Sequence, residues 1–387
     1  MSLDSGPHPD RPLEGIRILE VCHMLAGPYC GMLLADLGAE VIKIEPPTGD
    51  IARNVGPHTM GPHNVYFASL NRNKRSVCLD LASDEGQEAL GRLAGSAHGL
   101  VTNLRPSAIK KLGLTYDRMK RWNERIACLA LTGYGLDGPF SDRPAYDYVI
   151  QALTGIMAIT GDPGMPPTKT GYSVVDNSSG MMGAVGLLAK IVQGRGGQID
   201  VSLHDTMLSQ LNYLAAAYLN AGERPARQKG GAHPYIIPAQ IFRTRDGHLA
   251  LFITHDDFWR RFAVTAGRPE WVADPKFATM SARAENREAI IAAIGALLLT
   301  DDTVAWIDRL APQGIVVAGV QSLDDALDGE LTADRAMVAS VPTASGVLRL
   351  VANPIRFDGA DATRYAEPPL LGEGNAAFGA VPFPAAT

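Results

Sequence analysis

The chain has 387 residues, 46% of them hydrophobic, which is enough to bury a large core and points to two lobes. A net charge of -6 with no basic tract argues against a nucleic-acid partner, and no apolar run is long enough to span a bilayer, so no membrane partner is expected. The four cysteines (Cys22, Cys30, Cys78 and Cys128) lack CxxC spacing and the nine histidines lack an HExxH pattern, so buried thiols in a reducing cytoplasm and no metal are expected.

The opening stretch, MSLDSGPHPDRPLEG, has no charged-then-apolar signal pattern and reads as a disordered lead-in. IRILEVC (Ile16–Cys22) reads as a buried strand, followed by the loop HMLAGP and a helix over Pro28–Leu37. Pro28 suits a first helical turn and Gly38 a stop. AEVIKIE (Ala39–Glu45) is a second strand, closed by Pro46-Pro47. SVCLDL, a helix near Asp84–Ser96, and GLVTNL make the next unit, and IACLALTGYG supplies another strand ending in a glycine turn. Strand and helix alternating in this way predict a mostly parallel sheet with helices on both faces, an α/β fold of Rossmann-like kind. Ligands of such sheets bind beyond the C-terminal strand ends, which here carry His23, Asn103 and Gly133-Tyr134-Gly135. No GxGxxG or GxxxxGK[ST] follows any of these strands, so neither a usual dinucleotide site nor a P-loop is expected.

A helix is predicted around Tyr146–Ile159, then the segment GYSVVDNSSGMMGAVGLLAKI (Gly171–Ile191). There a short apolar run ends on Asp176, at or just before a helix N-terminus, where backbone amides and the macrodipole favour negative charge. Gly180, Gly183 and Gly186 fall roughly along one face, so another backbone can approach closely. By itself Asp176 reads as an N-cap at least as readily as a nucleophile. QIDVSLHDTMLSQLNYLAAAYL is a strand–helix pair, and the Gly-, Pro- and charge-rich stretch at 223–235 reads as a linker. The large lobe is expected over 13–222, completed by about 340–387, and a smaller α+β lobe over 236–339. The latter opens on a hairpin with an Asp246-Gly247 turn and continues in helices over 256–266, 283–299 and 303–311.

Five or six motifs in order resemble the class III CoA-transferases, the CaiB/BaiF family. They are LEGIRILEVCHMLAGPYCGMLLADLGAEVIKIEPPTGD, NRNKRSVCLDL, VTNLRPSAIKKLGL, LTGYGLDGPFSDRPAYDYVIQALTG, the Asp176 segment, and AHPYIIPAQIFRTRDGHLAL with the DPKFAT…R…NR stretch. The resemblance runs from Leu13 to about Gly372. It implies that Asp176 attacks an acyl-CoA carbonyl to form a mixed anhydride, that CoA thiolate returns to give an aspartyl-CoA thioester, and that a carboxylic acid acceptor attacks in turn. CoA enters as a thioester substrate, with no tightly bound cofactor. The resemblance further implies CoA contacts from His23, Met24 and Ala26 in the first loop, from the basic pair Lys74 and Arg75, and from Asn103 and Leu104 at the adenine pocket. Lys111 is implied near a phosphate, and Gly133 and Tyr134 near the reacting centre. It also implies a homodimer of interlocked subunits.

Two departures narrow the chemistry. The related α-methylacyl-CoA racemases carry a histidine where this chain has Tyr146, and a phenol is a poor shuttle for an α-proton near neutral pH. Racemase chemistry is therefore the alternative, with an inactive CoA-binding homologue as another. The formyl-CoA transferases carry a glutamine where this chain has Leu25, and a glycine run of which only Gly230-Gly231 remains. Oxalate or formate specificity is therefore not expected, and Phe252-Ile253-Thr254-His255 also lacks the Gly-Asn-Asp turn common at this place in the family.

Overall fold

The computed structural model describes residues 11–358 and 364–379; the first ten residues of the lead-in and the last eight of the tail lie outside them. The chain divides into two compact units, one of residues up to 154, 170–216 and from 330 onward, the other of residues 155–169 and 217–329.

The first unit is built on six strands: β1 (Arg17–Val21), β2 (Glu40–Glu45), β3 (Lys74–Cys78), β4 (Gly99–Thr102), β5 (Ala127–Thr132) and β6 (Gly197–Ser202). Every pairing is parallel, in the order β3-β2-β1-β4-β5-β6. This is the doubly wound arrangement expected of the α/β alternation, and the strand order reverses between β1 and β4. Helices cover both faces because the strands are apolar on both. Leu19, Val21, Ile42 and Leu100 pack with Leu90, Leu93 and Ile109 on one side. Ile18, Val41, Val101 and Leu129 pack with Cys30, Leu34 and Leu187 on the other.

The first helix spans Ala26–Asp36, and Gly38 ends it at a positive φ of 110°, as expected. It lies against the helix Val174–Val192. Of the three glycines in that second helix only Gly180 meets backbone. A Cβ there would come 2.7 Å from the Ala26 carbonyl oxygen and 3.2 Å from the Cys30 nitrogen, whereas Gly183 faces Leu129 and Leu131 side chains. Replacing Gly180 by alanine should force the helices apart. Although alanine favours a helix by about 1 kcal/mol, the clash with main chain costs about 1–3 kcal/mol, so thermal denaturation should show a net loss.

Two sequence expectations are corrected. The helix over 146–159 is two, Asp147–Leu153 and Ile156–Ile159, broken at Gly155 with φ 83°. Asp176 is neither at nor before the helix start: Val174 and Val175 are already helical, and Asp176 is the third residue of the helix. The final strand, β11 (Gly346–Val351), pairs antiparallel with β10 (Val338–Thr343), and both fall in the first unit. The tail does return to the main sheet, where Gly374 N–H donates to Ser76 O and Cys78 N–H to Asn375 Oδ1.

The second unit holds three antiparallel strands, β7 (Ala239–Arg243), β8 (His248–Phe252) and β9 (Val316–Gly319), in the order β9-β8-β7. The β7–β8 hairpin turns one residue earlier than expected. Thr244 N–H donates to Gly247 O, leaving Arg245 and Asp246 at the tip. Phe242, Leu251, Trp259, Phe262, Ile294 and Trp306 fill the core of this unit. No single helix among the described residues is long and apolar enough to cross a membrane.

Candidate active site

The crevice where the strand order reverses is bridged by two residues singled out in the sequence. His23 follows β1 and Asn103 follows β4. His23 N–H donates to Asn103 Oδ1 (3.0 Å), and Asn103 Nδ2 returns a bond to His23 O (2.8 Å). Burial lowers the His23 pKa, which favours a neutral imidazole.

Two clefts open here. The larger, about 390 Å³, has an apolar lining that includes Val21, Ile44, Leu79, Leu81, Leu104 and Leu112, with Glu45 and Asp50 at its polar side. The smaller, about 140 Å³, is lined by His23, Asn103, Gly133 and Tyr146 together with two cations, Arg105 and Arg143. His23 and Leu104 line both. Ala26 is buried at the start of the first helix and lines neither. Met24 holds a left-handed φ of 62°. Tyr134 is half-buried with its ring 6.5 Å from that of His204, while Gly133 O accepts the His204 amide.

The basic residues divide differently from expectation. Lys74 lines neither cleft: its side chain is fully buried, paired with Glu20 (2.7 Å) and donating to Pro28 O and Asn71 Oδ1. β3 is covered on the side to which Lys74 points, and its ammonium neutralises a carboxylate beneath the first helix. Arg75, next along the strand, points the other way and is exposed, 3.8 Å from Glu40. Lys111 is exposed at the end of the helix Pro106–Lys111. Neither Arg75 nor Lys111 lines the two clefts.

Asp176 is half-buried one helical turn before Gly180. The residue that caps its helix comes from elsewhere in the chain. Asp147, itself buried, accepts the Val175 amide at 2.8 Å and the Asp176 amide at 3.4 Å through one oxygen. The other oxygen accepts Gln151 Nε2 at 2.6 Å, and Gln151 Oε1 accepts the Thr170 amide. Ser173, at the N-cap position, makes no side-chain capping bond. The orphan amides of the first turn are therefore satisfied without Asp176, and no described residue hydrogen-bonds its carboxylate.

Helix position does not hold Asp176 ionised, contrary to expectation. Burial and the neighbouring charge of Asp147 push its pKa up to about 7. Tyr66, which sequence reasoning passed over, belongs to this environment: burial and the Asp176 charge both raise its phenol. Cys22 and Cys30 are buried, and burial raises both thiols, which disfavours a reactive thiolate.

A doubly wound sheet with a crevice at its switch point is the arrangement in which α/β proteins hold their ligands, and Asp176, which lines neither cleft, keeps a carboxylate that no described residue hydrogen-bonds. Comparison with known proteins gives the family. The model of CoA-transferase family III matches residues 13–375. An acetyl-CoA:oxalate CoA-transferase of Acetobacter aceti is 33% identical, covering 91% of this chain and 91% of its own. A succinyl-CoA:glutarate CoA-transferase of Mus musculus is 32% identical over 94% of this chain and 84% of its own. The crystal structure of a CaiB/BaiF family protein from Brucella suis superposes with a TM-score of 0.83 at 32% identity, covering 95% and 98% of the two chains. The chain belongs to CoA-transferase family III, and is an enzyme of that class.

Proposed function

We propose that this chain moves CoA from an acyl-CoA thioester to a carboxylic acid, with Asp176 as the nucleophile. One observation carries the reading: the Asp176 carboxylate is free of the capping task that its position in the helix would otherwise explain, because Asp147 performs it. The carboxylate attacks the thioester carbonyl and expels CoA thiolate, leaving an acyl-aspartyl anhydride. The thiolate then attacks the aspartyl carbonyl and releases the donor's acid, which stores CoA on Asp176 as a thioester. The acceptor carboxylate attacks that thioester, and the returning thiolate takes the acceptor acyl group, regenerating Asp176.

The apolar larger cleft suits a flat base, and Arg105 and Arg143 in the smaller one suit phosphate oxygens, taking the part expected of Lys74. The acceptors named for the two relatives, oxalate and glutarate, favour a small dicarboxylic acid here too. A second copy of the chain is the proposed protein partner. Met181, Met182 and Val185 on the Asp176 helix and Leu208 on the helix Leu203–Gln210 are exposed and apolar, which suits burial in a homodimer. A reducing cytoplasm suits the four free cysteines.

Incubation with a panel of acyl-CoA donors and hydroxylamine, followed by peptide mass spectrometry, tests the mechanism. Conversion of Asp176 to its hydroxamate is expected with at least one donor. An unmodified Asp176 across the panel, together with exchange of the substrate's α-proton, would instead favour the racemase alternative.

A further inference from the structure

The turn that joins the two clefts is held by a buried charge cluster that the transfer chemistry leaves unused, and one member of it, Asp50, also lines the larger cleft. Met24 lies at φ 62°, a left-handed conformation that costs a non-glycine residue on the order of 1 kcal/mol or more. Its amide donates to Asp50 Oδ1 at 3.1 Å, and the same oxygen accepts the Ala52 amide at 2.9 Å. Asp50 Oδ2 lies 2.9 Å from Lys43 Nζ, and both side chains are fully buried.

Lys43 is held in turn. It pairs with Glu20 (3.0 Å) across the β1–β2 register and donates to Cys22 O (3.1 Å), the carbonyl just before His23. The Asp50 amide is tied to Glu45, whose carboxylate is fixed by Arg53 and Ser76. Asp50 therefore has no freedom to turn away. Burial alone would raise its pKa, but Lys43 and the two amides bring it below the usual range, so the acceptor of the Met24 amide is a charged one. Buried ion pairs are seldom a net source of stability, which leaves the geometry they impose as their stronger effect.

We propose that Asp50 is a positioning residue for CoA-thioester binding: clamped by Lys43, its carboxylate fixes the His23-Met24 turn in the conformation that presents His23 to both clefts and locks it onto Asn103. The proposal rests on the CoA-transferase reading of these clefts.

Three variants of the full chain test it: Asp50→Ala, Asp50→Asn, and Asp50→Ala combined with Met24→Gly. Free CoA is titrated into each by calorimetry, and initial rates are measured with the best acyl-CoA donor. In Asp50→Ala the Kd for CoA and the KM for acyl-CoA should rise about tenfold, with kcat per folded molecule within about threefold of native. Asp50→Asn keeps an oxygen for the Met24 amide and should fall between, at about threefold; it carries the test if the alanine variant does not fold. Adding Met24→Gly should recover several-fold of the lost affinity, because glycine takes a positive φ without a Cβ.

A purely structural role would lower the melting temperature and the folded fraction while Kd and KM stay at native values, and that result overturns the proposal. Failure of the native chain to bind CoA or turn over any acyl-CoA sinks the transferase reading itself, and the proposal with it.

Discussion

Replacing Asp176 by alanine or asparagine should lower CoA transfer by about 10⁴-fold or more, the usual scale for removing a covalent nucleophile, and hydroxylamine should then trap no acyl or CoA adduct at this position. Chromatographic assay of the product thioester measures the first effect and mass spectrometry the second. A variant that keeps more than a few per cent of native turnover would remove Asp176 from the covalent pathway.

The asparagine variant carries a second expectation that an ordinary surface aspartate would not produce. An unfolded aspartate titrates near 3.8, whereas in the fold Asp176 is pushed up to about 7. Between those values folding takes up a proton, and above about pH 7 the fold must carry a desolvated charge. The cost is fully present above the folded pKa and absent below the unfolded one. Its upper bound is about 4 kcal/mol, less for the solvent that still reaches a half-buried group. Asp176→Asn should therefore raise the melting temperature by a few degrees at pH 8, and the gain should disappear near pH 4. Lost activity together with gained stability is the signature of a carboxylate kept for chemistry.

The doubly wound sheet was legible because a strand buried on both faces leaves a short continuous apolar run, and the runs at Ile16, Ala39 and Ile126 are of that kind. What the runs also contained was harder to use. Glu20 in IRILEVC and Lys43 in AEVIKIE are opposite charges inside consecutive buried strands, and they stand side by side in register. That pairing was a readable signal for the ion cluster, since an isolated charge in such a strand would be left unpaired. The inward turn of Lys74 is readable in the same way: along a strand, alternation sends one residue of a basic pair inward and the next outward. The site was legible in its loops, where His23, Asn103 and Gly133 converge on the crevice. Asp147 was not. A cap supplied from 28 residues upstream leaves no local pattern, because Ser173 already occupies the expected capping position and makes no such bond.

Asp147 should also contribute, second to burial, to the pH at which the enzyme works. Only ionised Asp176 can attack a thioester, and kcat/KM reports the titration of the free enzyme. With acyl-CoA as the varied substrate, kcat/KM should fall about tenfold per pH unit below 7 and level off above it, following the Asp176 pKa of about 7. Burial is the larger cause of that raised value and the Asp147 charge the second. Asp147→Asn removes the charge and leaves the burial, so the inflection should move to lower pH and yet stay above the usual aspartate range. The same change has a structural cost. Native Asp147 shares its two oxygens between the Val175 amide and Gln151, and asparagine has one oxygen to offer, so stability should drop by about 1–3 kcal/mol. The two effects separate by measurement, since loss of a cap lowers the melting temperature at every pH whereas loss of a neighbouring charge displaces the kinetic inflection. An inflection that stays near 7 in Asp147→Asn would assign the raised Asp176 pKa to burial alone. A displaced one would mean that the residue anchoring the helix also keeps a fraction of the nucleophile protonated at neutral pH, tying the rate of the first acyl transfer to the integrity of the cap.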